Sequence, residues 1–266
     1  MARTDSLPNF LTDVADAIRE KKGTEETIQA SDFDTEIANL PSGGGTPTKG
    51  FSVEEWDSDG YAKAIKIYGL TALPDYAFKF SSNNGWGVML SKIYSYDFNN
   101  TVTSIGFASL QLNAELTEIK NWNVLTTIGK YGLSGCTKFN PKKLPDSVIS
   151  IDQWGFSGNT AMVQLSMNNV ATINGVANNS GAFNNCTSLK AVWIGSAIYN
   201  IYRYSFQGCT NLQKIYIDLP RATVEAKSGY TYAFMNNTSK TGIIVCNDDE
   251  DFITKEEFDA IDWAAE

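Results

Sequence analysis

Seven times along this chain an aromatic residue or leucine is followed three positions later by Asn, Cys or Ser. The pairs are Phe78/Ser81, Leu110/Asn113, Leu133/Cys136, Phe156/Asn159, Phe183/Cys186, Phe206/Cys209 and Phe234/Asn237. In five of them a threonine follows directly: Thr137, Thr160, Thr187, Thr210 and Thr238. An internal repeat of this kind limits the chain to stacking similar coils, each burying its neighbour's apolar side. The expected result is an elongated solenoid.

Two further apolar positions complete the unit. Five residues before the aromatic stand Leu73, Ile105, Ile128, Ile151 and Ile201, and six residues after it stand Leu116, Phe139, Met162, Leu189 and Leu212. Leu90 is the displaced counterpart in the first coil. From the later position apolar residues alternate, as in Leu189, Val192, Ile194 and Leu212, Ile215, Ile217. Alternation over a short run predicts a strand with one face inward. One coil is about 23 residues, within the range of leucine-rich repeats. Lys142 breaks the pattern, and Pro141 beside it predicts a frayed strand.

The Asn/Cys position has a physical reason. A tight coil turns backbone groups inward at its corners, and a small polar side chain can bond to them there. Asn does so fully, and Cys acts as a small, weakly bonding buried residue. Cys136, Cys186 and Cys209 are therefore read as structural. Cys186 and Cys209 lie in adjacent coils and could approach each other, but other coils carry Asn or Ser there, so no disulfide framework is expected.

Segments such as GAFNNCTSLKAVWI from Gly181 and YSFQGCTNLQKIYI from Tyr204 resemble the BspA-like, Treponema-type leucine-rich repeats. The resemblance covers residues 65 to 246, with departures at Ile105-Gly106, at Asn113 and Asn159, and at three insertions. It implies a curved solenoid used for adhesion or recognition, without inherent enzymatic activity. The fold class expected is mainly β: a leucine-rich-repeat solenoid of short parallel strands in about seven coils. A small N-terminal helical hairpin and a C-terminal capping helix complete it.

The formal charge of −9 is uneven. Residues 1–41 carry −5, residues 247–266 carry −8, and the repeat body between them carries +4. Basic residues are scattered, so no nucleic-acid footprint is present. No apolar run reaches the length of a membrane span, so no membrane insertion is expected. The N-terminus has no basic segment followed by an apolar stretch, so a secretory signal is not expected either.

Residues 1–41 predict two amphipathic helices. Phe10, Leu11, Val14 and Ile18 form the first stripe, ending at Gly23; Phe33, Ile37 and Leu40 form the second, ending before Pro41. An acidic hairpin repels phosphate, which argues against a DNA-binding reading. The stretch LTDVADAIREKKGTEETIQASDFDTEIANL is similar to the N-terminal segment of many phage tail and minor structural proteins, through Ala17, Ile18, Arg19, Gly23, Asp32, Phe33, Glu36 and Ile37. That similarity implies a virion protein, released by lysis, whose hairpin docks on other virion proteins.

Residues 42–50 (SGGGTPTKG) read as a tether. Residues 51–246 form the solenoid, entered through a hairpin turning at Asp59-Gly60. Glu54, Asp57 and Asp59 give an incomplete calcium-loop pattern. Residues 247–266 form an acidic cap in which Thr254 and Glu257 predict a capping box. Phe258, Ile261 and Trp263 follow and are expected to cover the last coil.

Histidine is absent, which excludes Ser-His-Asp and Cys-His machinery and every His-ligated metal. Core thiols are not activated. Carboxylate-pair chemistry remains open in principle, with Glu115 and Glu118 the one pair near a predicted strand. No catalytic residue, cofactor or metal is expected.

Binding is expected on the exposed face of the strand ladder. Reading the outward positions gives Tyr94, Tyr96, Trp122, Trp193 and Tyr216, with Lys92, Glu118, Lys120, Lys214 and Asp218 interleaved. Such a row suits sugar rings or a flat protein epitope. Equally, the rings could cover neighbouring rungs or pack on the chain's own end. Trp86, in the insertion SSNNGWG, is a further candidate; other insertions fall at 176–180 and 225–229.

The expectation is a multicopy phage or phage-like virion protein, anchored by its N-terminal helices, binding host-surface glycan or protein without catalysis. A purely stabilising decoration protein and a bacterial surface adhesin are the alternatives.

Overall fold

The chain divides into two units, Met1–Thr48 and Lys49–Glu266. The computed structural model describes residues 50–59, 61–79, 92–175, 180–226, 233 and 244–265, all in the second unit. The N-terminal hairpin and its residues Phe10, Leu11, Val14, Ile18, Phe33, Ile37 and Leu40 lie outside the described residues, as do Trp86, Leu90 and the seventh repeat pair, Phe234/Asn237.

The alternating sequence builds the first wall. Strands β1 (Gly50–Trp56) and β2 (Ala62–Tyr68) form the expected antiparallel entry hairpin. The Asp57 carboxylate accepts from the backbone N–H of Asp59 and Tyr61 at its turn. Parallel to β2 run β4 (Ser95–Asp97) and β6 (Glu118–Lys120), with Ile65, Tyr96 and Ile119 in one rung. The wall resumes as β9 (Gln164–Met167), β11 (Ala191–Ile194), β13 (Lys214–Ile217) and β14 (Ile244–Cys246). Leu165, Val192, Ile215 and Ile244 share a register there. Between the two sheets stand Pro141 and Lys142, where a single bridge, Lys143 to Ser166, replaces a strand. Proline has no N–H to give a ladder, and the fraying expected there is what the fold contains.

Two-residue strands make the second wall: β3 (Ala72–Leu73), β5 (Ser104–Ile105), β7 (Thr127–Ile128), β8 (Ser150–Ile151), β10 (Thr172–Ile173) and β12 (Asn200–Ile201). They form one six-stranded parallel sheet with the Leu/Ile position always second, and that residue is buried in all six. The third side consists of turns. Alternate N–H groups reach the next coil, as in Tyr76 to Phe107, Phe78 to Ser109, Leu133 to Gly155 and Phe183 to Ser205.

Inside, the repeat aromatics stack. Phe156, Phe183 and Phe206 lie nearly parallel, with centroids 5.4 and 5.0 Å apart. The small residue three positions on bonds the carbonyl at the aromatic position of the preceding coil. Asn113 Nδ2 donates to Phe78 O (2.7 Å), Cys136 Sγ to Leu110 O (3.2 Å), Cys186 Sγ to Phe156 O (3.1 Å) and Cys209 Sγ to Phe183 O (3.1 Å). The corner role expected of Asn and Cys is thus met by one repeated bond at Asn113, Cys136, Cys186 and Cys209. Asn159 differs, its Oδ1 accepting from Cys136 N–H while its buried Nδ2 makes no hydrogen bond among the described residues. The four cysteines are free.

After β13 comes a short helix, α1 (Arg221–Glu225), and after β14 the capped helix α2 (Lys255–Ala260). Thr254 and Glu257 form the capping box foreseen in the sequence. The cap was expected over the end of the stack. Instead it folds back across the outer face of the first wall. Phe258 and Trp263, with Phe252, Ile253 and Ile261, pack on Ala191, Trp193, Tyr216 and Val245.

Candidate recognition surface

The outer face of the first wall has two unlike halves. At the C-terminal half, Trp193 is 4% and Tyr216 6% exposed, because the cap lies on them. Tyr216 meets Phe252, Phe258 and Trp263 at 6.4, 6.0 and 6.3 Å. Trp193 Nε1 donates to Ile253 O at 3.3 Å, and Lys214 pairs with Asp251 at 2.8 Å. These two rings were expected at a ligand face; here they bind the chain's own end.

Tyr96 also departs from expectation. It is fully buried, its hydroxyl donating to Asn113 Oδ1 at 2.9 Å and its ring 5.3 Å from Phe78. The inward positions of that coil are Ile93, Tyr96 and Phe98, matching Leu189, Val192 and Ile194. Counting from Leu90 shifts the register, and a one-residue slip exchanges the faces of a strand.

At the N-terminal half, Tyr94 and Trp122 remain half-buried. Trp122 packs edge-on against Phe139, 6.0 Å away. The Tyr94 hydroxyl donates to Glu55, and Lys63 lies 5.6 Å over its ring and 3.3 Å from Glu55. Hydrogen bonding from Tyr94, then Lys63, holds the Glu55 carboxyl below its ordinary range. Asp57 is lowered chiefly by Lys92, which also reaches Asp59. Of the three carboxylates considered for calcium, Asp57 and Asp59 therefore hold an ammonium group, and Glu54 accepts from the Ser52 and Tyr68 hydroxyls. Glu115 pairs with Lys138 at 2.6 Å and Glu118 with Lys120 at 3.4 Å, so each belongs to its own ion pair. Burial pushes the Cys136 thiol up to about 12 and raises that of Cys209, which disfavours thiolate formation at both.

A second aromatic array runs along the turn side, two residues before each buried Leu/Phe. Tyr76, Ala108, Tyr131, Trp154 and Tyr204 there all have left-handed backbones, with φ between 52° and 63°. In the Ala108 coil the ring comes from the neighbouring Phe107. The rings follow one another: Tyr76 to Phe107 at 5.1 Å, Phe107 to Tyr131 at 5.7 Å, and Tyr131 to Trp154 at 4.6 Å and nearly parallel. Tyr76 is 49% exposed and the others half-buried. Lys79 lies 5.3 Å over Tyr76, and Lys130 lies 5.8 Å over Tyr131 and 5.2 Å over Trp154. A left-handed backbone costs a Cβ-bearing residue about 1–2 kcal/mol, against about 0.5–1.5 kcal/mol for an aromatic pair. The pair figure comes in addition to what the burial of the rings contributes, so the row stabilises the stack as well as presenting partly exposed rings. The row was missed in the sequence although its signal was present, an aromatic recurring two places before the core residue.

Set against known proteins, the BspA-type leucine-rich repeat region matches in six copies over residues 89–180 and 179–260. That is well over half the chain. The chain belongs to the BspA-type leucine-rich repeat family. No curated protein matches it. Among solved structures, the BspA-type coils are similar to pneumococcal vaccine antigen PcpA (18% identity, TM-score 0.48), over 70% of this chain and 43% of that one. They are also similar to the T. pallidum leucine-rich repeat protein (19%, TM-score 0.46; 73% and 99% covered). A third is a leucine-rich cell surface protein of Faecalibacterium prausnitzii (18%, TM-score 0.38; 66% and 40% covered). The chain spans less than half of the first and third of these.

Proposed function

We propose that this BspA-type solenoid is a non-catalytic recognition protein that binds a glycan or protein on a host surface. Residues 1–41 attach it, in this reading, to other proteins of a phage-type particle, where many copies raise avidity. The observation that carries the recognition reading is the partly exposed aromatic row Tyr76–Phe107–Tyr131–Trp154 on a rigid stack, with Tyr76, Tyr131 and Trp154 at left-handed backbone positions. The particle reading is supported by the similarity of the N-terminal segment to phage tail proteins. Display on a bacterial surface accords equally with membership of the repeat family.

A stabilising decoration role is the second reading. It is favoured by the closure of Trp193 and Tyr216 under the cap, which removes half of one face from any ligand. Deleting residues 51–266 separates the two. Loss of host adsorption with particles intact supports recognition, whereas unchanged adsorption with fragile particles supports decoration.

A further inference from the structure

We propose that the row Tyr76, Phe107, Tyr131 and Trp154, with Lys79 and Lys130, is a binding track for an acidic linear polysaccharide. The assignment rests on the recognition reading above and gives it a site and a ligand class.

The track is one-dimensional. One ring per coil places centroids 5.1, 5.7 and 4.6 Å apart, a spacing set by the stacking of the coils themselves. A polymer that repeats a ring of its own along its axis fits this array better than a compact ligand. Because Tyr131 and Trp154 stack face to face, a polymer along the row meets the exposed ring edges. The apolar C–H faces of pyranose rings can lie across those edges, while their hydroxyl groups need hydrogen-bond partners. Tyr76 and Tyr131 hydroxyls and the neighbouring Gln153 side chain offer such partners.

Charge selects the acidic class. Lys79 and Lys130 are held over the ring faces, and neither forms an ion pair with a described residue. Two ammonium groups spaced along an aromatic row match carboxylates spaced along a sugar chain. The two separated lysines, with no wider basic patch around them among the described residues, suit carboxylates spaced along a sugar chain rather than the dense phosphate charge of a nucleic acid.

The length of the track is also set. In the coil after Trp154 the equivalent position is Gly181, where a Cβ would stand 1.6 Å from the Tyr204 carbonyl oxygen. No ring can be carried there, so the row stops at Trp154. The occupant spans about four sugar units at one per coil.

The test is calorimetric titration of the full chain with oligosaccharides of hyaluronan, alginate and polygalacturonate. Neutral chito-oligosaccharide and poly-glutamate serve as controls. Trp154→Gly and Tyr131→Gly remove rings at left-handed positions that glycine tolerates, so the coils stay folded, as the melting temperature will report. At least one acidic polysaccharide is expected to bind, each glycine variant to weaken it tenfold or more, and Trp154→Phe to retain it. Lys130→Gln is expected to weaken binding and flatten its salt dependence. Absence of binding to all three acidic polymers overturns the assignment. So does binding unchanged in the glycine variants, tighter binding of the neutral sugar, or equal binding of poly-glutamate, which would indicate an acidic peptide. If the glycine variants still adsorb to host cells, only this assignment fails. If deletion of residues 51–266 leaves adsorption intact, the recognition reading itself fails.

Discussion

Asn113 in one coil donates its side-chain amide to the Phe78 carbonyl of the coil before, at 2.7 Å, while its oxygen accepts from the Tyr96 hydroxyl at 2.9 Å. Its amide also reaches Leu110 O at 3.0 Å. Three buried groups thus converge on one side chain. Each buried polar group left unpaired costs about 1–3 kcal/mol. Leu110 O keeps the Cys136 thiol, so Asn113→Ala is expected to cost at least about 2 kcal/mol, and Tyr96→Phe much less, measured by urea unfolding.

Phe183 is fully buried between Phe156 and Phe206. Phe183→Ala should destabilise the fold by about 3–5 kcal/mol through lost burial and a cavity between coils. Calorimetry would detect this as a lowered melting temperature. A loss under 1 kcal/mol would mean that the ring stack contributes little.

Gly181 meets the Tyr204 carbonyl where any side chain would begin. Gly181→Ala forces two coils apart, and its effect should exceed that of an ordinary glycine-to-alanine change, about 1 kcal/mol either way. Proteolysis of the neighbouring coils should accelerate measurably.

Thr254 caps α2, and Phe258 and Trp263 seat the cap on Trp193 and Tyr216. Thr254→Ala should cost about 1 kcal/mol. Phe258→Ala should release the cap locally and admit water to Trp193, read as a red shift and increased acrylamide quenching of tryptophan fluorescence. Unchanged quenching would mean that the cap is held by other contacts.

Asp57 and Asp249 lie below the usual carboxylate range, the first through Lys92 and the second through Arg221 and the Cys246 N–H. A carboxyl whose folded pKa is depressed stabilises fully above its unfolded value, about 3.9 for Asp, and loses that contribution as pH falls through the folded value. Stability should therefore decline below about pH 4. Lys92, raised by the same contact, loses its share only in alkaline solution as pH rises through its folded value. In Asp249→Asn the acid limb should flatten, as thermal melts across pH would record.

The coil stack was legible in the sequence because its core positions repeat with fixed chemistry. Phe156, Phe183 and Phe206 align as their spacing predicts, and Pro141 with Lys142 marks the gap in the first wall. The surface was less legible. The stripe of Phe258, Ile261 and Trp263 announces a helix that must dock, but not which face of the stack receives it. Trp193 and Tyr216 are at outward strand positions, as expected, and only tertiary folding reveals what covers them. Tyr96 was misplaced because the insertion before Leu90 displaces the count, and a shift of one residue exchanges the inward and outward sides of Ile93–Phe98. The aromatic row escaped notice because bulky residues at left-handed positions run against local propensity.

The gap at Pro141 gives the protein a seam. Across it the coils of β6 and Lys142 share no strand pairing on the first wall. They are joined by the two-residue match of β5 with β7, the turn-side bonds, the Cys136–Leu110 bond, the Trp122–Phe139 and Phe107–Tyr131 ring contacts and the Lys138–Glu115 contact. Pulled from its ends, such a molecule yields there first, parting into an upper and a lower block that each keep their own stacked rungs. The track of rings crosses that seam between Phe107 and Tyr131, so a polymer laid along it would act as a splint.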